Sequence, residues 1–149
     1  MKYLLDSNTV SDFYDKYSAG HPEICTKLSS LDDSDTLCIS ILTLYEMEYG
    51  YANAPAEKKE ILRQKITEVQ QDFQVLPLSA DGARLFGELK KSLREFRGLK
   101  KENIKKFNID IMLAAVAVTE GCVLVSSDAV YPELQQFNSA LKLNNWISA

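Results

Sequence analysis

Four carboxylates stand where chemistry could be done. Asp6 ends the apolar run Tyr3-Leu4-Leu5 and is followed by Ser7, Asn8 and Thr9; Glu46 lies in ILTLYEMEYG; Asp110 opens IDIMLAAVAV; and Asp128 follows VLVSS. Singly, each has a bland role. Asp6 suits a strand-exit turn, Asp128 a turn or cap before Tyr131-Pro132, and Asp110 the helix N-terminus, where negative charge is favourable. Glu46 and Glu48 differ by about 200° around a helix axis, so only one faces inward. Leu42, Leu44, Tyr45, Met47 and Tyr49 surround both and leave open which one. Asp110 is the most demanding, because its helix is apolar on every side from Ile109 to Val118 and should be buried. An ionised carboxylate there must be paired, metal-bound or protonated.

Taken together, the four acids suggest a cation. Two carboxylates about 4 Å apart repel by roughly 4 kcal/mol at an effective dielectric of 20. Several converging without an arginine or lysine call for a divalent ion among them. Oxygen-only ligation suits Mg²⁺ or Mn²⁺, one or two ions, and not zinc. The common use of such a site is to orient a phosphodiester and activate a water for in-line attack.

The elements that would position these acids alternate. Strand-like KYLL (2–5) leads into a helical stretch, and a second follows His21-Pro22. TLCIS (36–40) is a short strand, ILTLYEMEYGYA a helix, and Pro55 opens a long helix, AEKKEILRQKITEVQQDF, at the position proline tolerates best. VLPL (75–78) reads as a strand whose Pro77 marks an edge or an end. Ser79 caps the next helix with Asp81 in its first turn. Residues 97–106 read as a glycine-containing basic connection, Gly121 ends the helix after Asp110, and CVLVS (122–126) is a fourth strand. A short helix at Tyr131–Phe137 and a strand around Leu141–Leu143 close the chain. Alternation predicts a three-layer α/β/α sandwich with a central, mainly parallel sheet of four to five strands, in one domain over residues 1–149. In such sheets functional residues gather beyond the carboxyl ends of the strands, where Asp6, Ser40 and the Ser126–Asp128 segment fall.

Composition is that of an ordinary globular chain: 149 residues, 46% hydrophobic and 26% charged, enough to bury roughly 70% of its unfolded surface. Cys25, Cys38 and Cys122 are odd in number and lack CxxC spacing, which argues against a disulfide framework or a structural zinc site, fits a reducing cytoplasm and predicts three small buried residues. No apolar run reaches membrane-spanning length and no leader precedes the first strand, so a cytoplasmic protein without membrane contact is expected. His21, the only histidine, reads as a surface turn residue. The net charge of −4 is unevenly spread. Residues 90–106 hold eight basic and two acidic side chains, net +6, which leaves −10 on the rest. That distribution fits a local phosphate-contacting edge or a solvated helix face, and argues against a general nucleic-acid coat.

The motifs YLLDSN (3–8), ISILTLYEMEYG (39–50), FNIDIMLAAVAV (107–118) and VLVSSDAVY (123–131), with the closing LKLNNWI (141–147), resemble in order and spacing the PIN-domain ribonucleases, most closely the VapC-like toxins of bacterial type II toxin–antitoxin systems. The resemblance selects Glu46 over Glu48, framed by Ser40, Thr43 and Gly50. It departs at Ser126, where threonine is usual, and at Tyr131, where phenylalanine is usual. It implies a metal-dependent endoribonuclease, often a homodimer, inhibited by a cognate antitoxin that masks the acidic pocket. Asp6, Glu46 and Asp110 would hold the Mg²⁺ or Mn²⁺, with Asp128 in support, and Asn8, Ser40, Thr43 and Ser126 would orient carboxylates and water. Products would carry 5′-phosphate and 3′-hydroxyl ends, and the substrate would be an RNA such as tRNA or rRNA. Charge adds that some of Arg94, Arg97, Lys100, Lys101, Lys105 and Lys106 would contact the RNA backbone.

Two other readings of the acids stand beside this one. Haloacid dehalogenase-like phosphatases begin with a strand ending in Asp-x-Asp, and DSNTV differs by the amide of Asn8, which cannot replace a carboxyl group in proton transfer. A non-catalytic PIN-like module binding RNA or protein would tend to lose the acids, and here all four positions are filled.

Overall fold

The computed structural model describes residues 1–147; Ser148 and Ala149, the last two residues of the expected domain, lie outside the described residues. Five strands, β1 (Lys2–Leu5), β2 (Thr36–Ser40), β3 (Gln74–Leu76), β4 (Val123–Val125) and β5 (Lys142–Asn144), form one sheet in the order β3-β2-β1-β4-β5. Every pairing is parallel, with Leu4 opposite Cys38 on one side and Leu124 on the other. The chain builds outward from β1 first to one edge and then to the other, so the order reverses between β1 and β4. That reversal opens a crevice beyond the strand ends, where ligands bind in open α/β sheets.

Both faces of the sheet are covered, as the unbroken apolar strands require. Leu4 and Leu124 point into a cluster with Leu89 and Leu93 of α5 (Ala80–Arg97), Ile111 and Ala114 of α7 (Asn108–Thr119) and Leu134 of α8 (Val130–Phe137). The next residues along the same strands, Leu5 and Val125, point the other way. They pack with Val10 of α1 (Ser7–Tyr14), Ile24 of α2 (His21–Ser30), Leu44 of α3 (Ile41–Asn53), Ile66 and Val69 of α4 (Ala56–Asp72), and Trp146.

The signals read from the chain act locally as expected at several ends. Ser79 Oγ accepts from Gly82 N at 3.0 Å to cap α5, and Gly121, at φ +67°, takes the left-handed conformation that ends α7. Strand β3 stops before Pro77 and lies at the sheet edge, as proline demands. Other expectations need correction. Pro55 is the cap of α4, not its first residue. The basic connection is itself structured, with α6 (Lys101–Ile104) and a 3-10 turn (Lys105–Phe107) running straight into α7, because Ile104 anchors it in the core at 2% exposure. Ile109 is exposed, so the helix of Asp110 is not buried all round. Cys25 is only half-buried and its Sγ lies 3.3 Å from His21 Nε2. His21 itself begins α2, with Nδ1 3.0 Å from the Asp12 carbonyl oxygen.

Candidate active site

Asp6 leaves β1 directly into α1 and is its cap, with Oδ1 accepting from Thr9 N at 2.8 Å. Its second oxygen, Oδ2, accepts from Ser126 Oγ at 2.5 Å, and its own N–H donates to the Val125 carbonyl. Asp6 is therefore held from both sides of the β1/β4 crevice and is buried, at 5% exposure. Ser126 Oγ also accepts from Asp128 N at 3.0 Å, and Asp128 Oδ1 accepts from Val130 N at 3.0 Å. The Asp128 carboxylate thus sits two residues before α8, exposed and bonded to its first N–H.

From β2, Ser40 caps α3 by accepting from Leu42 N at 3.1 Å, and Thr43 is buried one turn in. Glu46 follows one turn after Thr43, on the same helix face. Its Oε1 accepts from Ser7 Oγ at 2.7 Å, and Ser7 Oγ lies 3.3 Å from Thr43 Oγ1. Ser7 thereby ties the first residue of α1 to the acid of α3. Glu48 points elsewhere: it forms an ion pair with Arg63 on α4 at 2.7 Å. Packing of α3 on α4 thus decides between the two glutamates, which periodicity left open.

Asp110 lies in the first turn of α7, half-buried. Its carboxyl is pushed up to about 6, first by burial and then by the charge of Asp128, with smaller contributions from Asp6 and Glu46. The buried hydroxyl of Tyr131, donating to Oδ1 at 3.4 Å, opposes this rise. Burial and the same acids, Asp110 foremost, push the Tyr131 phenol far up, so it stays a neutral donor. The charges of three carboxylates, from the end of β1, from α3 and from the β4–α8 turn, therefore bear on Asp110.

The donor chemistry fits a hard divalent cation: carboxylates and hydroxyls, with the single histidine engaged on α2. Among the described residues, no three His, Cys, Asp or Glu side chains are already arranged to hold a metal ion together. Shared ligation would require these side chains to turn from the partners they now have, such as Ser7 for Glu46.

Of the residues expected to support the acids, Ser126 bonds Asp6 and Thr43 reaches Glu46 through Ser7, whereas Ser40 caps α3 and Asn8 is exposed on α1. Ser7 and Tyr131 add contacts to Glu46 and Asp110 that the spacing of the acids does not predict. Ser7 follows Asp6 as the first residue of α1, a signal the chain does carry; Tyr131 stands out in the sequence only as a departure from phenylalanine. The basic residues separate into groups. Arg97 forms a bidentate pair with Glu133 at 2.7 and 2.9 Å and lies over the Phe107 ring. Lys106 Nζ also lies over the Phe107 ring, 5.2 Å from its centroid. Arg94, Lys101 and Lys105 border a cleft between α5 and α6, and Lys100 is exposed beside it.

An all-parallel sheet in this order, covered by helices on both faces, defines a three-layer α/β/α class of protein, and comparison with known proteins gives the family. The PIN-domain family model matches residues 3–135, and the chain belongs to that family. It is 26% identical over 149 residues to ribonuclease VapC2 of Rickettsia felis, with 98% of each chain covered. Among solved structures it is similar to VapBC2 from Rickettsia felis bound to a DNA fragment from the promoter, at 25% identity and a TM-score of 0.74 over 98% of this chain and 99% of that one. VapBC-1 from nontypeable Haemophilus influenzae has the same fold, at 20% identity and a TM-score of 0.74 over 98% of both chains. The likeness is to the VapC type of PIN domain that the four motifs resemble, and the phosphatase reading of DSNTV gives way to it. No helix among the described residues is long and apolar enough to cross a membrane.

Proposed function

We propose that this chain is a Mg²⁺- or Mn²⁺-dependent endoribonuclease, the toxin of a toxin–antitoxin pair. The observation that carries the reading is that the charges of Asp6, Glu46 and Asp128 all bear on the half-buried Asp110. Asp6, Glu46 and Asp110 would hold the ion, with Asp128 completing or supporting the set. When bound, the ion supplies a Lewis acid for the phosphoryl group and a water of lowered pKa. Ser126 and the α1 N-terminus hold Asp6 in one orientation, Ser7 and Thr43 do the same for Glu46, and Tyr131 keeps a proton facing Asp110. The test is cleavage of RNA by the purified protein with Mg²⁺, Mn²⁺ or EDTA, followed by analysis of the ends. Asp6→Asn and Asp110→Asn abolish cleavage while keeping the fold; full metal-dependent cleavage by both would overturn the site.

Two surfaces support the expected partners. An apolar groove of about 300 Å³ between α1, α3 and α4 opens onto Ser7, Thr43 and Glu46 and is lined by Val10, Met47 and Ile66. An antitoxin segment lying there would cover the acids. Beside the β3 edge, Tyr45 and Leu78 are exposed next to Ile41, Leu42, Val75 and Pro77. That apolar patch suits a second copy of the chain, and Tyr45→Lys should shift a dimer to monomer in sedimentation experiments.

A further inference from the structure

Five of the eight basic residues between 90 and 106 converge on one cleft of about 350 Å³ between α5 and the α6 segment: Lys90, Lys91 and Arg94 from α5, and Lys101 and Lys105 from the other wall. Among the described residues none of the five forms a salt bridge. Lys90 Nζ lies over the Phe86 ring, and Arg94 Nε donates to the Leu99 carbonyl, which leaves the rest of its guanidinium to the cleft. Buried Ile104 holds the α6 wall in place. Gly87, one turn before Lys90 and Lys91, borders the same cleft, and a Cβ there would meet nothing within 4 Å. Glycine within a helix is destabilising relative to alanine, and packing gives no reason for it here.

The α6 wall of the cleft also runs on into the helix that carries Asp110. Arg97, one turn beyond Arg94, feels the charge of Asp128 and is bound to Glu133 of α8. Lys105 begins the 3-10 turn that runs directly into α7, five residues before Asp110. On a chain whose remaining residues sum to −10, an approaching polyanion is repelled elsewhere and drawn to this wall. We propose that the α5–α6 cleft is a binding track for the phosphodiester backbone of RNA flanking the cleaved bond, with Lys90, Lys91, Arg94, Lys101 and Lys105 as phosphate contacts. Arg97 is not one of them: its guanidinium is taken by Glu133 and braces α5 against α8. The assignment rests on the ribonuclease reading for its substrate, but the contacts are tested without cleavage.

The experiment is anisotropy titration of a labelled single-stranded RNA in EDTA over a range of KCl concentrations. Each phosphate contact contributes about 0.7 to the log–log salt slope for single strands. Lys91→Gln/Lys101→Gln/Lys105→Gln should lower the slope by about 2 and weaken binding roughly tenfold or more at low salt. Lys27→Gln/Lys58→Gln/Lys142→Gln, which removes equal charge from exposed positions elsewhere, should leave the slope nearly unchanged. In Mg²⁺, the cleft variant should raise KM for RNA far more than it lowers kcat. Equal losses in both triple variants would reduce the effect to net charge and overturn the cleft. Preferential binding of duplex DNA through the same lysines would overturn the RNA assignment. If the wild type binds through the cleft but cleaves nothing, the track stands and the nuclease reading falls; if it cleaves and the cleft variant keeps its salt slope, the track alone falls.

Discussion

Asp6 and Ser126, 120 residues apart, meet across the switch point of the sheet, with Ser126 Oγ donating to Asp6 Oδ2 at 2.5 Å. The other oxygen of Asp6 is engaged by the N-terminus of α1. Both oxygens are therefore oriented by the fold itself, which makes Asp6 the most rigidly placed of the four acids. The same hydroxyl accepts from Asp128 N, so Ser126 couples the position of one acid to the turn that carries another.

Ser126→Ala should consequently lower metal-dependent RNA cleavage by about 10- to 100-fold, the usual effect of removing a group that orients a metal ligand. Ser126→Thr, which keeps the hydroxyl, should cleave nearly as well as the wild type. Single-turnover rates at saturating Mg²⁺ distinguish the two; equal activity of the alanine variant would remove Ser126 from the site.

Glu46 and Glu48 offer an internal control. Glu46→Gln should abolish cleavage, because its carboxylate faces Ser7 and contributes to the field at Asp110. Glu48→Gln should cleave normally and lose only its surface pair with Arg63. Parallel cleavage assays and melting curves on the two variants check this.

Stability of the metal-free protein should depend on Asp110. Its folded pKa of about 6 lies above its unfolded value. Between those values the folded chain holds a proton that the unfolded chain releases, so stability falls as pH rises from about 4 to 6 and then levels off. Solvent screening of this half-exposed carboxyl limits the loss to about 1 kcal/mol, or roughly 2–4 °C in Tm. In EDTA, Asp110→Asn should flatten this dependence and melt above the wild type at pH 7. Millimolar Mg²⁺ should raise the wild-type Tm and leave the variant little changed.

Tyr131→Phe tests the opposing contact. Its hydroxyl is the donor that lowers the Asp110 pKa, so its removal should move the midpoint of the metal-free transition to higher pH. Phenylalanine is the usual residue of the resembled family, so the variant should fold. Titration of Asp110 by carboxyl NMR gives the shift directly; an unmoved midpoint would show that the 3.4 Å contact carries no weight.

Much of this molecule is legible from the chain because its signals are local. A strand of apolar residues buried on both faces, a serine cap at Ser79 and a left-handed Gly121 act within a few residues of themselves, and four strand–helix alternations leave few architectures other than a doubly covered parallel sheet. Asp6, Asp110 and Asp128 are conspicuous for the same reason, as acids at strand exits and helix starts. What only the tertiary structure decides depends on which helix face meets which neighbour. Helix α3 is apolar around both glutamates, so its packing against α4 had to direct Glu48 to Arg63 and leave Glu46 with Ser7. Tyr131 looks like one more aromatic until α8 carries it under Asp110, and Arg97 looks like its basic neighbours until Glu133 claims it. Those outcomes join residues 15 to 39 positions apart, and no local preference of the chain contains them.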